Sequence, residues 1–118
     1  SVWLALGDEN KKNGCLYVIP GSHRLEIHPE RFNEALFLKN NDVQNELLIK
    51  NAEAAELQKG DVLFFHSKLF HAAGRNNTSE TKLSVVFTYH ESGNNPIVGS
   101  RSAEQPSIQI SRASKSDK

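Results

Sequence analysis

The sequence contains no methionine and a single cysteine, Cys15, in 118 residues. One thiol excludes an internal disulfide and fits a reducing compartment, read here as the cytoplasm. Without methionine the chain does not open at an ordinary translation start. It begins inside a strand-like run, so an N-terminal part is expected to precede it. Net charge is also absent: 14 basic side chains balance 14 acidic ones. No nucleic-acid surface or anionic-membrane surface is therefore expected. No apolar run approaches the ~20 residues that a membrane span requires. The opening Ser1-Val2-Trp3-Leu4-Ala5-Leu6 has no basic n-region and no small-residue cleavage site, so it does not read as a signal peptide. There is no internal repeat.

What is present is a globular composition, 37% hydrophobic and 24% charged, sufficient for one domain with a modest core. Short apolar runs alternate with polar turns. Strands are expected at residues 2–6, 15–19, 62–65, 69–72 and 83–89, with a further candidate at Leu47-Leu48-Ile49. Residues 7–14 end in Asn13-Gly14, a strong turn signal, and read as a polar hairpin loop. Pro20-Gly21 stops the second strand, and Lys59-Gly60-Asp61 is a turn. Arg31 to Leu38 fits one short helix. Ala52 to Leu57 is ambiguous, because its alanines and glutamates favour helix while the stretch is short and runs into a turn. From Glu91 onward Gly, Asn, Pro and Ser dominate, and the last eight residues read as disordered. The pattern predicts an all-β sandwich or jelly roll. A jelly roll uses about eight strands, more than the five or six countable here, so the fold is expected to be incomplete at its N-terminal end. Residues 1–90 form the β domain in this reading and residues 91–118 a C-terminal extension.

One arrangement carries chemical information. His71 closes an apolar run, a polar turn follows, and Lys82 opens the next strand. A strand ending on an imidazole and another beginning with a cation suit a metal ligand beside a site for an anion. From local pattern alone, a histidine in this position is more often a hydrogen-bonded structural residue than a ligand. Lys82 is equally readable as a solvated strand-end charge, and Trp3 as core.

The ordered set Trp3-Leu4-Ala5-Leu6, Asn13-Gly14-Cys15-Leu16, Pro20-Gly21-Ser22-His23, Gly60-Asp61-Val62-Leu63-Phe64 and His71-Ala72-Ala73-Gly74-Arg75-Asn76 resembles the phytanoyl-CoA dioxygenase family over roughly residues 1–90. The resemblance implies an incomplete double-stranded β-helix, cupin-like, from an Fe(II)- and 2-oxoglutarate-dependent dioxygenase. Such an enzyme takes a small organic or acyl substrate and O₂. It implies His71 as the distal iron ligand, Trp3 as a wall of the 2-oxoglutarate pocket and Lys82 as the partner of the far carboxylate of 2-oxoglutarate. Three departures accompany it. The His-x-Asp pair that supplies the other iron ligands normally lies before the Trp3 strand. Lys82 replaces the usual arginine and cannot make its planar fork. Ala73 stands where many members have serine.

The remaining candidates read as structural. His66 and His71, five apart, would face opposite sides of a continuous strand, which favours a supporting role for His66. His23 reads as a turn residue, and His28 and His90 as surface residues. Gly60 serves its turn, Asp61 bonds locally, Cys15 is a small buried hydrophobe, and Arg75 is the nearest further cation for an anionic substrate. The region from Arg24 to Gln44 reads as a substrate-facing loop. The rival to an oxygenase is a non-catalytic cupin-like ligand-binding or interaction domain derived from one.

Overall fold

The computed structural model describes residues 1–111. The chain falls into two compact units, Ser1–Thr88 and Tyr89–Lys118. The first unit contains six short strands, β1 (Val2–Ala5), β2 (Leu16–Val18), β3 (Glu53–Ala55), β4 (Val62–Phe64), β5 (His71–Ala73) and β6 (Ser84–Phe87), one α-helix, α1 (Val43–Ile49), and two 3-10 turns at Ser22–Arg24 and Pro29–Arg31. They build two three-stranded sheets, ordered β4-β1-β6 and β3-β2-β5. Every pairing is antiparallel, and neither sheet closes on itself. The strands expected at residues 2–6, 15–19, 62–65 and 83–89 are present in shortened form.

In the first sheet Trp3 lies opposite Leu63 and Val86, and Ala5 opposite Ser84. Paired residues share a face and side chains alternate. Trp3, Ala5, Ser84 and Val86 therefore line one face, and Lys82 follows the same alternation two residues before Ser84. The other face carries Val2, Leu4, Val62, Phe64, Val85 and Phe87. On its two edge strands Phe64 is 74% exposed and Phe87 49% exposed. In the second sheet Leu16 is buried between Ala55 and Ala73. The buried apolar residues are Ala5, Cys15, Leu16 and Ile19.

Residues 7–14 do not form a hairpin. Both sides of β1 are taken by β4 and β6, so the loop carries the chain across to the second sheet instead. It is pinned on the way by a two-way backbone bridge between Glu9 and Leu57 (2.8 and 2.9 Å). Gly14 then turns with φ +84°. At the other end of this contact the Gly74 amide donates to the Cys15 carbonyl at 2.9 Å.

Leu47-Leu48-Ile49 belongs to a helix rather than a strand. Asp42 caps it, its side chain accepting from the Asn45 amide at 3.0 Å, a local signal that outweighs three apolar residues in a row. The ambiguous Ala52–Leu57 stretch supplies β3. Arg31 to Leu38 is not helical. Phe32 and Leu38 form an isolated antiparallel bridge, because Asn33 Oδ1 accepts from both the Ala35 and Phe37 amides (3.0 and 2.9 Å) and tightens the turn. Asn45 ties this turn to α1. It is fully buried, accepts from Arg31 Nε at 2.7 Å, and donates to the Arg31 and Lys39 carbonyls at 3.0 Å each.

Strand β5 starts at His71 instead of residue 69. His66 Nδ1 accepts from the Lys68 amide and its carbonyl from the Leu69 amide, both at 3.0 Å. The segment turns there before it can pair. Gly60 (φ +92°) and Asp61, whose carboxylate accepts from the Gln58 amide at 2.8 Å, build their turn as expected.

In the second unit the described residues are turn-rich, with one 3-10 turn at Arg101–Glu104. His90 binds Ser107 Oγ through Nε2 at 2.7 Å. The disorder expected of the last eight residues lies, Ser111 apart, outside the described residues.

The Gly14 crossing supplies a stability test. A Cβ at Gly14 would stand 2.5 Å from the Gly74 carbonyl oxygen, whereas one at Gly21 (φ +76°) would meet nothing. Both substitutions pay for positive φ, so Gly21→Ala should cost about 1 kcal/mol. Gly14→Ala should cost about 1–3 kcal/mol more, because rigid backbone must move. Urea denaturation of the two variants checks the difference.

Candidate functional site

Four side chains from distant parts of the sequence converge on the inward alternation of β1 and β6. Glu9, which the sequence placed in a polar loop, is 1% exposed. The Glu9–Leu57 bridge fixes its backbone and delivers its carboxylate beneath the sheet. Trp3 Nε1 donates to both carboxylate oxygens at 3.1 Å. Ser84 Oγ donates to Oε1 at 2.5 Å. Lys82 Nζ lies 3.5 Å from Oε2, donates to Ser84 Oγ at 3.3 Å, and stands 5.1 Å from the centre of the Trp3 ring. The ammonium is thus held by a carboxylate and by the aromatic face together.

Burying a carboxylate is costly unless its lone pairs are met by donors and its charge is paired. Here three donors meet it and one is a cation. Chemically the cluster is a carboxylate cradle with an indole N–H, a hydroxyl and an ammonium. Trp3 and Lys82 were expected to share a site, and the structure brings them together. Glu9 and Ser84 were not foreseen. The two-residue spacing of Lys82 and Ser84 on a strand signalled a shared face, but nothing local signalled the bridge that brings in Glu9.

His71 sits on the other sheet, opposite Val18. It is exposed rather than directed into the interior. Its ring packs on Phe65 with centroids 4.8 Å apart. Nδ1 lies 2.8 Å from the Leu69 carbonyl. A carbonyl only accepts, so Nδ1 is the donor in this contact and Nε2 is the ring nitrogen left for another partner. Among the described residues no hydrogen bond, ion pair or ring contact joins His71 to Trp3 or Lys82. The described residues also contain no group of three His, Cys, Asp or Glu able to hold a metal. The donor chemistry of His71 fits one position of an iron site, and the described residues offer no complete ligand set.

The His66 and His23 rings lie with their centroids 5.4 Å apart. Ser22 accepts from the Phe70 amide at 2.9 Å and docks the Pro-Gly-Ser-His turn against the segment leading into His71. Ala73 is on β5 and offers no hydroxyl. Cys15 is fully buried, and burial, reinforced by the Glu56 and Glu9 carboxylates, raises its thiol pKa. It is packing and not a nucleophile. A cleft lined by His28, Glu30, Arg31, Lys39, Asn41 and Asp42 lies on the segment before α1; none of its residues belongs to the cradle. No helix among the described residues is long and apolar enough to cross a membrane.

A sheet-rich scaffold with a carboxylate cradle on one sheet and an Nε2-presenting histidine on the other defines a candidate small-molecule site. Comparison with known proteins narrows the class. The family model for phytanoyl-CoA dioxygenase (PhyH) matches residues 1–84, and the chain belongs to that family of oxygenases. It is 28% identical over 93 residues to the peroxisomal phytanoyl-CoA dioxygenase of Rattus norvegicus, covering 76% of this chain and 28% of the relative. It is 32% identical over 88 residues to the Bos taurus protein of the same name, covering 70% and 26%. It is 28% identical over 91 residues to dioxygenase lolE1 of Epichloe uncinata, covering 75% and 32%. The chain therefore spans about a quarter to a third of the length of these relatives.

Two outcomes follow from the burial at this site. Lys82→Ala should destabilise the protein by about 3 kcal/mol, since it leaves the Glu9 carboxylate buried and unpaired. The double variant Glu9→Gln/Lys82→Met, which removes both charges, should recover most of that loss in thermal or urea unfolding. Cys15 should resist thiol reagents at neutral pH in the folded protein and react fully once the chain is unfolded in denaturant. Raising the thiol pKa lowers the thiolate fraction, and burial blocks access.

Proposed function

We propose that this chain is part of an Fe(II)- and 2-oxoglutarate-dependent dioxygenase acting on a small organic or acyl substrate. In that role it contributes the distal iron histidine and the anchor for the co-substrate. The observation that carries the proposal is the convergence of Trp3, Ser84 and Lys82 on one carboxylate, a donor set suited to the far end of a 2-oxo diacid. Iron, when bound, supplies the activation of O₂ coupled to oxidative decarboxylation of 2-oxoglutarate. His71 contributes Nε2 as a ligand, its ring oriented by the Leu69 carbonyl and steadied against Phe65. Lys82 provides the charge that binds the distal carboxylate, and Trp3 walls the pocket and donates its indole N–H. The two remaining metal ligands come from outside the described residues.

The path of the strands supports a double-stranded β-helix completed by further strands. The chain passes from the first sheet to the second after β1 and returns for β4. It crosses again for β5 and comes back for β6, as a double-wound β fold requires. The exposed apolar face of β4 and β6 is where further strands would cover it. The segment from Arg24 to Gln44, which presents Leu36 and Phe37, 79% and 67% exposed, is read as the substrate-facing loop. A reducing compartment, the cytoplasm among them, suits the single buried thiol.

The rival reading, a non-catalytic ligand-binding domain, is favoured by the carboxylate already seated against Lys82. Release of CO₂ from 2-oxoglutarate by the full-length protein separates the two. The wild type should release CO₂ in an Fe(II)-dependent manner. His71→Ala should fall to background while its unfolding midpoint barely changes, because the side chain is exposed and holds no core together. Turnover at the wild-type level in His71→Ala would remove His71 from the metal site.

A further inference from the structure

The cradle is occupied by the protein itself. In most carboxylate-binding sites the donors wait for a ligand. Here Trp3 Nε1, Ser84 Oγ and Lys82 Nζ are all turned onto Glu9. A second carboxylate brought to Lys82 would meet Glu9 at close range with little solvent between them, since the Glu9 side chain is 0% exposed and that of Lys82 15% exposed. Two carboxylates cannot share one ammonium in such surroundings without strong repulsion. Either Glu9 leaves, or the ligand does not bind.

We infer that Glu9 is an internal competitor for the carboxylate cradle, and that 2-oxoglutarate binds by displacing it. This rests on the reading of Lys82 as the co-substrate anchor. Glu9 is suited to exchange. Its backbone is held only by the Leu57 bridge, and the loop around it is polar: the Asp8 and Asn10 side chains make their own turn bonds to Lys59 and to Lys12 and Asn13. Departure of the Glu9 side chain would leave these bonds of Asp8 and Asn10 in place. Without a ligand Glu9 satisfies the donors and holds the Lys82 ammonium beside the Trp3 ring and Ser84 Oγ. The cost is affinity, because part of the binding free energy goes to breaking the internal pair. The result is a co-substrate site with a raised concentration threshold, set by one residue that touches the anchor.

The test is calorimetric titration of metal-free, full-length protein with 2-oxoglutarate, with folding of each variant checked by circular dichroism. Glu9→Gln keeps the shape and a hydrogen-bonding oxygen but removes the charge. It should bind 2-oxoglutarate about tenfold or more tightly than the wild type, a difference of about 1.4 kcal/mol. Adding Lys82→Ala to Glu9→Gln should abolish that gain. A second readout uses the unmodified protein: the indole N–H resonance of Trp3, the sole tryptophan of this chain, should move on saturation as Nε1 changes partner. If Glu9→Gln binds no more tightly and the Trp3 resonance stays fixed, while Lys82→Ala in the Glu9→Gln background still weakens binding, displacement of Glu9 is refuted and the anchor stands. If binding is indifferent to Lys82 in that background, the anchor reading fails and the inference fails with it.

Discussion

A carboxylate sealed from water has to be surrounded by donors, and the Glu9 carboxylate imposes that requirement on four segments at once. It needs the indole of β1, the hydroxyl of β6, the ammonium just before β6, and a backbone bridge to Leu57 that holds the loop in place. Among the described residues the buried apolar core is small, only Ala5, Cys15, Leu16 and Ile19. A satisfied polar cluster therefore contributes much of what fixes β1 against β6 and the β1–β2 loop against the end of β3. Removing one partner leaves the others buried and unmet, which costs more than the pair itself contributes. Donors gathered for an internal carboxylate are also of the kind an external one needs.

The second sheet presents its chemistry differently. His71 is held from behind. The turn at His66 aims the chain, Ser22 docks the segment before it, and the Leu69 carbonyl fixes the ring tautomer. The imidazole stays exposed, as the proposed ligand role requires.

Strands were legible where apolar and polar residues alternate between turn signals, as in Val2–Ala5 and Ser84–Phe87, because the pleat itself has that period. Trp3 and Lys82 were legible as neighbours through the ordered motifs. Leu47-Leu48-Ile49 misled because three apolar residues carry no period; the capping Asp42 held the information. Arg31 to Leu38 misled because its helix-compatible residues are overruled by one asparagine side chain that closes a turn. Glu9 was invisible for a deeper reason. Nothing near it in sequence distinguishes a buried glutamate from a solvated one, and its burial is decided by pairing with a residue 48 positions away. The exposure of His71 was likewise set by where the second sheet's partners end, which the order of residues does not encode.

The central claim is that His71 and the Lys82 cradle serve one metal-dependent site. Paramagnetic relaxation tests it most directly. Mn(II), which accepts the same nitrogen and oxygen donors as Fe(II), is added to the full-length protein together with 2-oxoglutarate, and the ring resonances of His71 and the indole resonance of Trp3 are followed. The account predicts that the His71 ring signals broaden beyond detection and that the Trp3 indole broadens more weakly, with both effects reversed by a chelator. Bound Mn(II) that leaves the His71 ring signals sharp would contradict it.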